Sequence, residues 1–199
     1  MGIGIALILF AVFVYSSVKG TYNKLVSYDE QINASWAQVQ NVYQRRADLI
    51  PNLVETVKGY ASHERETLEA VIQARANATR PQINAGEVLK NPQLFQQFEQ
   101  AQGQLGAALG RLMVVIERYP ELKANENFIR LQDELAGTEN RIAVERRRFN
   151  QAVQAYNKEI RTFPTNLLAG VFGFQNRPYF QASPEAQEAP KVDFSSSRK

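Results

Sequence analysis

Apolar residues recur along this chain at alternating spacings of three and four, the pattern that keeps one face of an α-helix toward a partner helix. The strongest such stretch covers residues 36–75, within a predicted first helix of residues 22–78. Its seam comprises Val39, Arg46, Leu53, Val57, Tyr60, Glu64, Leu68, Val71 and Arg75. Pro51 interrupts the stretch, because proline has no N–H to donate to the carbonyl of Ala47. We therefore expect the helix either to kink at Pro51 or to restart there with Asp48 as its N-cap.

Two further long helices follow the same pattern. Helix two begins near Pro92 and continues for about 27 residues, with apolar residues repeating over about three and a half heptads. Helix three begins after Asn125, a typical N-cap residue, and covers about 36 residues before Pro164 ends it. The chain is therefore predicted to be all-α, with an antiparallel, coiled-coil-like bundle of long helices.

The first 18 residues contain no charged side chain. About 18 helical residues span roughly 27 Å, close to the hydrocarbon thickness of a bilayer, which predicts a transmembrane anchor. A cleaved signal peptide is the alternative, but no basic residue precedes the apolar run and no small-x-small cleavage site follows it. Lys19 and Lys24 follow the span, and by the positive-inside rule these two lysines lean weakly toward a cytoplasmic bundle.

The C-terminal region after Pro164 divides into an apolar part and a polar part. The apolar part holds Leu167, Leu168, Val171, Phe172, Phe174, Tyr179 and Phe180. We interpret it as a short helix and loop that cap one end of the bundle; insertion into a membrane surface is the alternative, less favoured because Arg177 is the only basic residue nearby. The predicted organisation is an anchor at 1–18, a bundle with this aromatic cap at 19–182, and a disordered tail at 183–199 that is rich in Pro, Glu, Gln and Ser.

Composition and motifs argue against several kinds of chemistry. The 23 basic and 20 acidic side chains leave a net charge of +3 and alternate along the helices, so no nucleic-acid partner is expected. The chain has no cysteine and a single histidine, His63, and a zinc-protease motif would need a second histidine at Thr67. The glycines of helix two lack the Gly-Lys-Ser/Thr ending of a phosphate loop. We therefore predict no metal, no cofactor and no enzymatic activity.

Charged residues occupy seam positions where leucine is expected. They are Arg46, Glu64, Arg75 and Glu145. A buried charge must be paired, and such pairs most often fix helix register, although an ion- or ligand-binding slot is the alternative. We expect Arg46 to pair with an acid on another helix, with Glu145 as the leading candidate.

Several long motifs resemble the LemA family of bacterial membrane-anchored proteins. They are YNKLV at 22–26, RRADLIPNLVETVKGYASHE at 45–64, YPELKANENF at 119–128, ENRIAVERRRFN at 139–150, and then FP, FGF and PYF. The likeness extends from the anchor to Ala182. It implies a transmembrane segment followed by an antiparallel helical bundle, in a single-pass protein of the bacterial cytoplasmic membrane. It implies no enzyme activity, while the link of some relatives to building magnetosome membranes suggests membrane organisation.

Helix lengths predict self-association. A first helix of residues 22–78 would extend about 85 Å, longer than helix two at about 40 Å or helix three at about 54 Å. Its membrane-proximal stripe would then lack intrachain partners, and the glycine-rich back of helix two would offer a second contact. The predicted contact residues are Leu25, Tyr28, Ile32, Trp36, Gly103, Gly106, Gly110 and Met113. We expect a membrane-anchored scaffold that forms a homo-oligomer, with a cyclic arrangement as the hypothesis, and that organises membrane or recruits unknown protein partners. A membrane-bound sensor or enzyme with a ligand inside the bundle is the alternative.

Overall fold

The structure, a computed structural model, describes residues 2–80 and 85–181, and within those ranges it is built from helices and contains no strand. The predicted all-α fold is confirmed. The predicted disordered tail at 183–199 lies outside the described residues. The helices are α1 (Gly2–Lys58), α2 (Arg65–Ala78), α3 (Ala85–Val88), α4 (Pro92–Ile116), α5 (Pro120–Lys123), α6 (Glu126–Arg161) and α7 (Thr165–Val171).

The starts of α4 and α6 follow directly from local sequence. The Asn91 side chain accepts hydrogen bonds from the backbone N–H of Gln93 and Leu94, and Asn125 does the same for Phe128. These bonds satisfy backbone donors that the first turn of a helix leaves without partners. The predicted starts of both helices, and the end of α6 before Pro164, are confirmed.

Helices α1 and α6 form the antiparallel spine of the bundle. The Lys24 ammonium lies 2.9 Å from the Glu159 carboxylate near one end of α6. Twenty-two residues later in α1, Arg46 lies 2.9 Å from Glu139, which is twenty residues earlier in α6. Later residues of one helix therefore pair with earlier residues of the other.

The first helix ends at Lys58, so the single predicted helix of residues 22–78 is wrong. It also runs unbroken through Pro51, which excludes a restart with Asp48 as N-cap. The actual break lies at Gly59, and residues 59–64 turn the chain so that α2 packs back against α1 and α4. Contacts from the start of α6 hold this turn in place, because Asn125 Nδ2 donates to the Tyr60 hydroxyl at 2.9 Å.

Two hydrophobic cores follow one another along the bundle. The first, which we call the aliphatic core, is built mainly of Leu, Ile, Val and Ala from α1, α2, α4 and the start of α6. The second, the aromatic core, centres on Trp36 and includes Phe95, Phe149, Tyr156 and Phe180. The apolar start of α1 lies beyond the aromatic core with its side chains exposed, and it is long and apolar enough to cross a membrane.

The aromatic core overturns one of the predicted contact stripes. Leu25, Ile32 and Trp36 are at most 1% exposed, and Tyr28 packs against the same core. The stripe has intrachain partners because the turn at residues 59–64 ends the first helix well before residue 78. The 36 residues of α6, with α7 and the segment after it, are then long enough to cover this part of α1.

Candidate functional site

Arg46 is the most buried charge on the α1 seam, and it joins three helices. Its guanidinium donates to Glu139 on α6 at 2.9 Å and to the Gln102 side-chain and backbone oxygens on α4 at 2.6 and 3.2 Å. The expected pairing with an acid on another helix is thus present, but Glu145 is not that acid. Glu145 lies about one and two-thirds turns of α6 beyond Glu139, and it accepts from Arg148 on its own helix.

The pair formed by Arg46 and Glu139 is only half desolvated. Arg46 is 4% exposed and Glu139 44% exposed, so water still solvates the carboxylate. The Tyr43 ring covers the guanidinium at 5.1 Å, and burial raises the pKa of the Tyr43 phenol. This arrangement links α1, α4 and α6 at one level of the bundle; that it fixes their register stays a prediction.

Arg75 repairs the hydrogen bond that Pro51 removes. Pro51 cannot donate to the carbonyl of Ala47 one turn earlier, and Ala47 is buried away from water. The Arg75 Nε on α2 donates to that carbonyl at 2.7 Å. The side chain on the second helix therefore allows α1 to continue through its proline.

Glu64 anchors the turn between α1 and α2. Its carboxylate accepts from the Arg118 guanidinium and the Tyr119 hydroxyl, each at 2.9 Å. The hydrogen bond to Glu64 raises the pKa of Tyr119. His63 lies beside Glu64 in the turn itself, exposed and outside any helix.

Two asparagines on α6, which the sequence analysis did not single out, hold the extended C-terminal segment of residues 174–181. Asn157 donates to the Arg177 carbonyl and accepts from the Arg177 N–H, both at 2.9 Å. Asn150 makes the same pair of bonds with Phe180, also at 2.9 Å. Seven helical residues rise about 10.5 Å, which matches three extended residues, so the heptad spacing of the asparagines fits the backbone they bind.

Arg177 and Gln181 complete the docking of this segment. The buried Arg177 guanidinium pairs with Asp29 on α1 and donates to the Leu89 carbonyl at 3.3 Å. Farther along, Arg146 donates to the Gln181 carbonyl at 2.9 Å, and Glu99 accepts from the Gln181 N–H at 3.2 Å. Burial raises the pKa of Glu99. Two asparagines seven residues apart beside the apolar seam of α6 were the sequence signal that could have predicted the docking of this extended segment.

A cavity of about 250 Å³ lies between α1, α4 and the end of α2. Its lining includes Trp36, Tyr43, Phe98 and Gln102. Pockets that enclose a small-molecule ligand usually measure about 300–1,000 Å³, so this cavity is smaller than most of them. Among the described residues no cluster of three or more histidine and carboxylate side chains could hold a metal ion.

The glycine face of α4 is formed by Gly103 and Gly110, which are exposed, and by Gly106, which is half-buried. A Cβ added at any of the three glycines would meet nothing within 4 Å. Next to them, Val114 is 72% exposed. Met113 differs from the glycines because it packs against the aliphatic core. The close neighbour that the glycines predicted is therefore not supplied by the described part of this chain.

The geometry defines a class: an all-α protein whose antiparallel bundle is built on one long helix with an apolar first part. The LemA family model matches residues 35–194, and the chain belongs to the LemA family.

The chain is similar in sequence to proteins from two kinds of bacteria. Magnetosome proteins MamQ 1 and MamQ 2 of Paramagnetospirillum magneticum are each 30% identical to this chain over 178 residues, covering 82% of it. The match spans only 65% of each MamQ protein, less than two thirds of its length. Protein LemA of Metamycoplasma hominis is 26% identical over 185 residues, covering 93% of this chain and 77% of its own length.

Proposed function

We propose that this protein is a membrane-anchored, non-catalytic helical scaffold that self-assembles and so organises membrane or recruits partner proteins. The observation that carries the proposal is the continuity of α1, which runs as one helix from its apolar start into both cores of the bundle. A helix without a break transmits the position of its membrane end to everything packed on it. The natural setting is the bacterial cytoplasmic membrane, crossed once, and the two lysines after the span favour a cytoplasmic bundle.

The continuous helix α1 sets the distance between the membrane and the glycine face of α4. Arg46 contacts Gln102, beside Gly103, and Arg46 lies 28 residues after Val18 in the same helix. At 1.5 Å per residue, the glycine face is about 42 Å beyond the end of the apolar span. Copies in one bilayer would present it at one height, which favours lateral contact between neighbouring copies. The names of the magnetosome relatives are in keeping with a role in membrane organisation.

The test is to fill the glycine face. A variant with Gly106→Leu and Gly110→Leu should keep its helicity and fold, because the added Cβ atoms meet no intrachain atom and leucine has the higher helix propensity. Light scattering coupled to size-exclusion of the full chain in detergent should show the wild type as an oligomer and the double variant as a smaller species. Gly137→Leu on α6 is the matched control, since its Cβ is equally free of intrachain contacts; it should leave assembly intact. A monomeric wild type, or a double variant that assembles as the wild type does, would refute self-assembly through this face.

The second candidate, a membrane-bound sensor or enzyme with a ligand in the bundle, has one observation in its favour. The cavity beside Tyr43 and Gln102 contains aromatic faces and polar groups suited to a small ligand. Its small volume makes this function the less favoured of the two. A ligand that binds the purified full chain, and whose binding is lost in Gln102→Leu, would reverse that order.

A further inference from the structure

An exposed apolar patch lies on α7 and on the residues just before it. Phe163, Leu167 and Val171 are 76%, 61% and 79% exposed. Leu167 and Val171 are four residues apart and so lie on one face of the helix. On the other side of α7, Ala169 is buried against the aromatic core. The short helix is thus apolar on both sides: the bundle covers its inner side, and none of the described residues covers its outer side.

This patch lies where α1 leaves the predicted membrane span. The Phe172 ring, at the end of α7, is 5.0 Å from the Tyr22 ring. Tyr22 is four helical residues after Val18, about 6 Å along the helix. The headgroup layer of a bilayer is roughly 5–8 Å thick on each side of the hydrocarbon, so Tyr22 and Phe172 fall within it if the span ends at Val18. Aromatic side chains are enriched at that depth.

Three exposed basic residues lie beside the patch. Lys158 and Arg161 are exposed in the last turn of α6, and Lys19 is exposed at the end of the span. The nearest acid, Glu159, is already paired with Lys24 at 2.9 Å. Arg177, the basic residue noted in the sequence analysis, points into the protein, where it is buried. Exposed cations beside bare apolar side chains are the combination that binds the surface of a bilayer with anionic lipids.

We propose that the outer face of α7 inserts into the interfacial layer of the same bilayer that α1 crosses, so that the chain meets the membrane at two points. The inference rests on the proposed membrane anchoring of α1. One helix crossing a bilayer is free to tilt and to rotate about its axis; a second contact beside it removes that freedom. The bundle, and with it the glycine face of α4, would then have a set orientation relative to the membrane plane.

The absence of cysteine makes a direct depth measurement simple. Four full-length variants would each carry one spin label, at Leu167→Cys, Val171→Cys, Val114→Cys or Phe10→Cys. All four side chains are exposed, so the labels should not disturb the fold. Val114 is the matched aqueous control, because it is an equally exposed apolar residue near the far end of the bundle; Phe10 reports the span. Each variant is placed as a single copy in nanodiscs of phosphatidylcholine and phosphatidylglycerol, and the accessibility of the label to oxygen and to a water-soluble nickel chelate is measured.

We expect the ratio of oxygen to nickel accessibility at residues 167 and 171 to be severalfold above that at 114 and below that at 10. If residues 167 and 171 match 114 while 10 is immersed, the second contact is refuted and the anchor stands. If 10 is also water-exposed, the anchoring proposal fails and this inference with it. If 167 and 171 become protected only in discs with several copies, the patch is covered by another copy of the chain and the lipid contact is refuted.

Discussion

The two cores of the bundle are closed in different ways. In the aliphatic core, α2 follows the turn at residues 59–64 and packs with α4 against α1, and apart from Ala61 in that turn the described buried residues all lie on helices. In the aromatic core, α4 supplies Phe95 and Phe98, but α3, α7 and an extended segment also close the space between α1 and α6. The extended segment places Phe180 against Trp36 at 6.0 Å between ring centroids. A helix satisfies its own backbone, whereas an extended segment cannot. Asn150 and Asn157 therefore supply the partners that a neighbouring strand would otherwise provide.

The difference clarifies what the polar seam residues do. On the aromatic side, Asn157 serves the backbone of Arg177. On the aliphatic side, Arg75 serves the carbonyl of Ala47 that Pro51 leaves without a donor. In both halves a side chain from one element satisfies a backbone group of another. Register follows from these bonds, because the groups meet in only one alignment of the helices.

The largest effect should come from the centre of the aromatic core. Trp36 is 1% exposed and lies within 6.0 Å of the rings of Phe95, Phe98, Phe149 and Phe180. Trp36→Ala should lower the free energy of unfolding by about 3–5 kcal/mol. Urea unfolding measures this, and hydrogen exchange of residues 177–181 should accelerate because Phe180 loses a packing partner.

Leu53 lies in the aliphatic core and is 1% exposed, so Leu53→Ala is the matched comparison with Trp36→Ala. It should cost about 2–5 kcal/mol while leaving the local exchange of residues 177–181 close to that of the wild type. Equal acceleration of hydrogen exchange at those amides in both variants would show that the two cores unfold together, and it would refute the idea that they differ in local stability.

A smaller effect is expected from Asn157→Ala. It leaves the N–H and carbonyl of the buried Arg177 without their partners, at a cost of about 1–3 kcal/mol. The Arg177 amide should exchange faster, as followed by mass spectrometry. Asn127→Ala, on an exposed surface of the same helix, is the control and should change neither quantity. An unchanged Arg177 amide would mean that Arg177 and its pairing with Asp29 hold the segment without Asn157.

The smallest effect concerns Pro51 and Arg75. Arg75→Met should destabilise the wild type by about 1–2 kcal/mol, because the Ala47 carbonyl loses its donor. In a Pro51→Ala background the backbone N–H of residue 51 can donate to that carbonyl, so the same change should cost about 1 kcal/mol less. Thermal or urea unfolding of the two single variants and the double variant gives the coupling. If the two changes in the free energy of unfolding are additive, Arg75 does not compensate for the hydrogen bond that Pro51 removes.

Much of this fold could be read from local sequence. The cap at Asn125, the start of α4 near Pro92 and the stop before Pro164 depend on a few neighbouring residues, and the structure places them as expected. The break in the first helix was misjudged, because Pro51 has the stronger local signal and Gly59 the weaker one. The donor that rescues Pro51 comes from Arg75, 28 residues away, and local propensity contains no information about it.

The sequence by itself determined which faces are apolar, where α4 and α6 begin and about how long these two helices are, since periodicity and capping are properties of neighbouring residues. Only the tertiary structure decided which partner covers each face. Arg46 pairs with Glu139 and not with Glu145. The stripe from Leu25 to Trp36 is buried by α6 and the C-terminal segment of the same chain. A seam specifies that a residue needs a partner, but the choice among partners depends on where the chain turns. Here that turn, at residues 59–64, is held by contacts between residues far apart in sequence.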